Sequence, residues 1–393
     1  MKKIFTFPNI YTLVALLYLC LGDLLNNISI ITMSVHGLFL ALTLVFLFLS
    51  FKECRMNVAM KSLCALSAMI LIYGVWLIYM VSDYSLLFDS PTRYLDLHFK
   101  SIAPIFVYYY FAEKKLIDVK WFCYATPFFL FAVYQQYIFA QRDIILKYDF
   151  ELGEFTDNSG YFFLALLPIA AFFKERRWLE YLIITFLTIM IVSCMKRGPI
   201  ICAGIIDVFM LKESLSGSKG KFKTLIFALL AFCGIYLFVK NIYLSNDYFS
   251  YRFEQTLDGD DSNRSKIYNR LWQYYQYQTN PLSYIFGNGA YSCARYLGFH
   301  AHNDWLEMLM SLGFVGVILY AKYWKAQVKT IIKAKANGIE HSIVTVFISI
   351  VICNFMKTIF SMSIDDMLIY SSSMLGFCLS KCNEWNDKPR LKE

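Results

Sequence analysis

The sequence predicts an all-α integral membrane protein. It has about 12 transmembrane helices in one polytopic domain over 1–393, and one large, partly helical outer loop at 241–302. Three observations lead there. The 393 residues are 58% hydrophobic and 18% aromatic but only 17% charged, less charge than a soluble chain of this length carries. Apolar runs of bilayer-crossing length recur from end to end. Basic residues between those runs alternate in density, as they do when one side of a membrane is cytoplasmic.

A hydrocarbon core of about 30 Å takes roughly 20 helical residues. Runs near 8–25, 29–51 and 62–81 meet that need, although Asp23, Asn26 and Asn27 crowd the end of the first. Four more follow at 97–112, 121–140, 159–173 and 178–195. A short one at 198–211 and another at 224–240 lead to the loop, and 303–321, 342–361 and 364–381 complete the set. Only "MKK" and a few residues precede the first run and no small-residue cleavage pattern follows, so no removable signal peptide is expected. No internal repeat or soluble domain interrupts the pattern.

With a cytoplasmic N-terminus, the inner segments hold 24 of the 37 lysines and arginines. They include "KERR" at 174–177, "KESLSGSKGKFK" at 212–223, "AKYWKAQVKTIIKAK" at 321–335 and the tail "DKPRLKE". Both termini are therefore expected in the cytoplasm and 241–302 on the outer face. These signals, set beside anionic headgroups, account for the net charge of +8 without a nucleic-acid partner. The 11 cysteines form no CxxC pair and lie mostly in spans or on the inner side, Cys194 and Cys293 excepted; they fit small packing residues.

The spans are nearly free of charge, Asp207 and Lys357 being the main exceptions. Polar chemistry collects instead in the loop, whose many aromatics, Tyr268, Trp272, Tyr275, Tyr284 and Tyr291 among them, argue for a folded cap. "SNRSKIYNRLWQYYQYQTNP" has the pattern of an amphipathic helix with capping character at Asp260, Asp261 and Ser262 and a stop at the Asn280-Pro281 pair. At 100° per residue Arg264, Tyr268, Trp272 and Tyr275 share a face and Arg270 points away. That face fits either an interfacial helix lying on lipid or a sugar-stacking surface with a cation at its end.

Arginine and lysine are sorted differently. Seven of the 11 arginines fall outside (Arg93, Arg142, Arg197, Arg252, Arg264, Arg270, Arg295), but only six of the remaining 26 basic residues. The planar, permanently charged guanidinium is the better forked ligand for phosphate, so the sorting points to a phosphorylated lipid-linked substrate. Metal signals are weak. Asp258, Asp260 and Asp261 have a D-x-D spacing, which solvated turns share, and His300 and His302 have no third His or Cys nearby. No nucleotide-binding loop or nucleophile elbow is present; no metal and no cofactor are expected.

His302-Asn303, then nine residues, then Gly313-x-x-Gly316 resembles the O-antigen ligase and polymerase family of bacterial envelope proteins. "MKRGP" at 195–199 looks like that family's Arg-Gly at the outer start of a span. "NRSKIY" followed by "NPLSYIFGNGAY" is similar to its arginine helix, proline and Gly-x-Gly turn. The motifs cover 155–320. Lys196 before the Arg-Gly, Pro199 after it, and two extra residues between the arginine helix and its proline depart from the pattern.

The resemblance implies a metal-independent glycosyltransferase in the bacterial cytoplasmic membrane, with its active site on the outer face. The donor would be a glycan on undecaprenyl pyrophosphate. A polymerase passes it to another repeat unit, giving O-antigen, capsule or exopolysaccharide; a ligase passes it to the lipid A core. A chain-length regulator and a flippase are the implied partners, besides membrane lipid. His302 would be the catalytic base, since an imidazole titrates near neutral pH. Arg197 and Arg264 would hold the pyrophosphate. Asn303, Tyr268, Trp272 and Arg295 are candidate sugar contacts, although Asn303 serves equally well to start a helix. Asp304 and Glu307 fit a capping pair and Gly313 and Gly316 close helix packing; His300 receives no role. The rival reading, a flippase or other transporter, calls for matching halves and broken or charged spans, neither of which the sequence displays.

Overall fold

The computed structural model describes residues 6–24, 29–80, 95, 98–147, 158–216, 221–245, 249–251, 254, 264–360 and 368–384. Among them there are helices and no strands. The order is α1 (Phe7–Leu24), α2 (Ser29–Glu53), α3 (Val58–Met80), α4 (Ala103–Glu113), α5 (Val119–Lys147), α6 (Gly160–Leu166) with a 3-10 continuation (Leu167–Phe173), α7 (Arg177–Ser193), α8 (Arg197–Ser216) and α9 (Lys221–Ser245). Three short helices follow: α10 (Arg264–Gln276), α11 (Pro281–Phe286) and α12 (Ser292–Leu297). Then come α13 (Asp304–Ala336), α14 (His341–Phe360) and α15 (Ile369–Glu384). Among the described residues, each of the twelve apolar runs falls mostly on helix. Five stretches of the described residues, at Ile30–Glu53, Val58–Tyr79, Phe222–Ser245, Asp304–Ala336 and His341–Ile359, are long and apolar enough to cross a membrane.

Polar caps set several helix starts. Asn57 Oδ1 accepts from Met60 N at 2.9 Å and Asp118 Oδ1 from Trp121 N at 2.8 Å, each satisfying an amide that the helix leaves over. Between helices the core is aromatic: Tyr11, Tyr108, Phe111, Phe122, Phe129 and Phe163 are fully enclosed. The Tyr108 hydroxyl is matched by Thr12 at 2.8 Å, that of Tyr11 by Thr43 at 3.2 Å, and that of Tyr370, also buried, donates to Gln136 at 2.9 Å. In lipid, burial against another helix gains little over burial against acyl chains, so such packing contacts and hydrogen bonds, rather than water exclusion, select the arrangement. Gly376 of α15 lies directly against the backbone of α4, where a Cβ would come 2.4 Å from Ile105 O. α14 packs on α8, on α13 and on the 3-10 segment.

This packing gathers helix termini at one end of the bundle. Trp305, at the start of α13, donates Nε1 to Thr358 Oγ1 at the end of α14. Lys357, also there, and Lys196, just before α8, both face Tyr161 at the start of α6. The opposite end is tied by Arg177 to Ser214 and by His341 to Glu213.

Candidate functional site

Asn303 is the N-cap of α13. Its backbone is extended and its Oδ1 accepts from Trp305 N at 3.0 Å and Leu306 N at 3.1 Å. The helix-start role is thus the one its oxygen performs. His302, immediately before it, is exposed and has φ +49, a left-handed backbone uncommon for residues other than glycine. Its chain neighbours are tied to α13. Asp304, 2% exposed, accepts from the Tyr320 hydroxyl at 2.6 Å. Glu307 accepts from Ala301 N at 3.3 Å and from Ser311 Oγ at 3.4 Å. These carboxylates were expected as a capping pair. The structure corrects that: Asn303 caps, while Asp304 and Glu307 clamp the chain on either side of His302. Both still benefit from the positive end of α13.

Glu307 also lies beside Cys293. Burial first, then the Glu307 carboxylate, push that thiol well above its ordinary range, which favours the neutral thiol of a packing residue.

The second component is cationic. Lys357 is 1% exposed, and its ammonium stands 5.2 Å from the centre of the Tyr161 ring. Lys196 stands 5.3 Å from the same ring and donates to Asn158 Oδ1. Arg197 follows as the first residue of α8, half-buried. A Cβ on Gly160 would touch Pro199 at 3.2 Å, so the starts of α6 and α8 lie against each other. Three positive residues, Lys196 just before α8, Arg197 at its start and Lys357 on α14, thereby share the bundle end that carries His302. Sequence reasoning marked Lys357 as an exception and Lys196 as a departure but did not join them, and it missed Tyr161. The available signal was the ionisable residue within an apolar span, which by default marks function.

The third component is the α10–α12 cap. α10 packs a small core of Leu271 and Tyr275 against Cys293, Ala301 and Met310, with Ile267, Tyr268 and Leu306 at its edge. The expected face is therefore partly redrawn. Arg264 and Tyr268 are half-buried on the inward side with Tyr275. Trp272 sits on the flank, exposed, stacked on Tyr275 at 5.8 Å. Arg270 is exposed, as its position on the wheel requires. Arg295 donates Nη2 to Asn288 O and to the Tyr296 hydroxyl, both at 2.9 Å, which fixes the turn at 287–289. That is a structural use of a residue expected to meet sugar.

Gly313 permits the close packing expected of it, but through a break that was not expected. It breaks α13, with φ +64 and ψ −162. A Cβ there would lie 2.5 Å from Gly287 N and from Ile285 C and O. The helix opens because another stretch of backbone occupies that side. Asn288 N donates to Met310 O at 2.9 Å and Gly289 N to Ser311 O at 3.0 Å, taking carbonyls that an unbroken helix would use itself.

No group of three or more His, Cys, Asp or Glu able to hold a metal occurs among the described residues. The Asp258, Asp260 and Asp261 spacing, the caps at 260–262, and Arg93 and Arg252 lie outside the described residues, as does the side chain of Arg142. Comparison with models of known families and with characterised proteins finds no match.

Proposed function

We propose that the chain is a polymerase of undecaprenyl-pyrophosphate-linked oligosaccharide units, acting at the outer face of a bacterial cytoplasmic membrane from a twelve-span helical fold. The observation that carries this reading is the presence, at one bundle end, of an exposed imidazole whose chain neighbours are tied to α13 together with Lys196, Arg197 and Lys357. An outer location for that end follows from the charge alternation of the sequence.

The chemistry needs those two components. His302 takes the proton of an acceptor hydroxyl as its oxygen bonds to the anomeric carbon of the donor sugar. The bond from that carbon to the pyrophosphate oxygen breaks, and undecaprenyl pyrophosphate leaves with the electron pair. Arg197, Arg264 and the lysines stabilise the growing charge on the leaving group. The donor carries its own activated bond, so no nucleotide site is required. Tyr268 and Trp272 offer ring faces to the sugars, and Asn303 retains its amide Nδ2 for a hydroxyl.

Transfer to the lipid A core is the alternative with the same chemistry and a different acceptor. Deleting the gene and running the surface polysaccharide on a gel separates them. A ladder that collapses to a single attached repeat supports the polymerase; loss of every attached repeat identifies a ligase. An unchanged pattern refutes both.

A further inference from the structure

We infer that α11 and the turn after it form a re-entrant element whose occupant is the hydrocarbon of the lipid leaflet. α11 is six residues, Pro-Leu-Ser-Tyr-Ile-Phe, none charged and none buried. Leu282, Ile285 and Phe286 are 60%, 45% and 50% exposed, so the apolar side chains of this segment are exposed together rather than scattered singly.

Depth comes from the docking of this segment on α13. The backbone of Ile285 and Gly287 lies against Gly313. No charged residue occurs on α13 between Glu307 and Lys322. Gly313 is six residues past Glu307, about 9 Å along the helix axis, so the segment reaches well into the uncharged stretch. The exposed surface is also continuous with a spanning helix. Phe314, next to the contact, is 53% exposed, and Ile318, one turn on, is exposed as well. Those two side chains face lipid wherever α13 spans the bilayer, and α11 extends the same apolar surface.

Backbone satisfaction is the independent observation. Irregular chain survives in hydrocarbon only if protein groups take its N–H and C=O groups. Ser283 N donates to Asn280 O, and Leu282 N to Asn280 Oδ1. Gly287 N donates to Ser283 O, while Asn288 and Gly289 N go to α13. Phe286 O accepts from the hydroxyl of Tyr73, a residue of the spanning helix α3, at 2.5 Å. The segment thus shows apolar side chains outward while these backbone groups are matched from within, the reverse of a solvated loop. This inference does not depend on the function proposed.

The test is site-directed spin labelling of the full chain, depleted of its other cysteines and held in nanodiscs of phosphatidylethanolamine and phosphatidylglycerol. Labels go separately at Leu282→Cys, Ile285→Cys and, as the aqueous control, Gln273→Cys on α10. At 282 and 285 the expected result is strong relaxation by oxygen and loss of relaxation by a water-soluble nickel chelate, with the opposite at 273. Nickel access at 282 equal to that at 273 overturns the inference in favour of an aqueous surface. Exclusion of both reagents overturns it in favour of a protein-covered face. Leu282, the most exposed of the three, decides the matter alone if the Ile285 variant fails to fold.

Discussion

Lys357, in the last turn of α14, has its ammonium 5.2 Å from the centre of the Tyr161 ring, joining a cation of one helix to the start of another 196 positions earlier in the chain. If that cation helps stabilise a leaving pyrophosphate, Lys357→Met, which preserves length and apolar bulk, removes a charged contact. Such contacts contribute about 1.5–3 kcal/mol, roughly a ten- to hundredfold loss of polymer formed per inserted molecule. Lys357→Arg should retain most activity. Quantifying polymer and membrane-inserted protein together checks this. Loss of insertion in Lys357→Met would assign the residue to folding instead.

Arg264 and Arg270 lie on opposite sides of α10, and only Arg264 is partly enclosed. Lysine keeps the charge of Arg264 but loses the planar pair of donors. Arg264→Lys should cut polymer formation by about tenfold or more, and Arg270→Lys should be nearly silent. An active Arg264→Lys protein would mean that residue 264 merely anchors the cap to headgroups.

Gly287, φ +75, and Gly313, φ +64, meet backbone to backbone. A Cβ on Gly287 would come 2.4 Å from Ser311 C and O. Alanine at either position adds backbone strain of about 1–3 kcal/mol to an unrelieved collision. Gly287→Ala and Gly313→Ala should each lower the melting temperature of the solubilised protein. Gly204→Ala on α8, with open space around its Cβ, should not. Equal melting of all three variants would contradict the stitched break.

How much of this was legible in the sequence follows from the range of each interaction. The twelve apolar runs mark helices because backbone satisfaction in lipid leaves a long apolar segment no other local structure. The wheel placed Tyr275 beside Trp272, but it could not tell which ring turns inward. That depends on Leu271 finding Cys293 and Met310. Gly313 read as a packing residue since nothing near it announces that Gly287 will lie on its helix. The Tyr161, Lys196 and Lys357 group was hidden for the same reason: its members lie on α6, on the turn before α8 and on α14, and are brought together by the packing of α14 on α8. Asn303 was ambiguous in sequence, and its two amide contacts now give its oxygen a role.

The central claim is tested most directly by reconstituting the purified chain in liposomes with an undecaprenyl-pyrophosphate-linked repeat unit and comparing His302→Ala with His300→Ala. The account predicts lengthening glycan from the parent chain, none from the folded, inserted His302→Ala protein, and substantial product from His300→Ala. Equal activity of the two variants, or no chain extension by the parent protein, would contradict it.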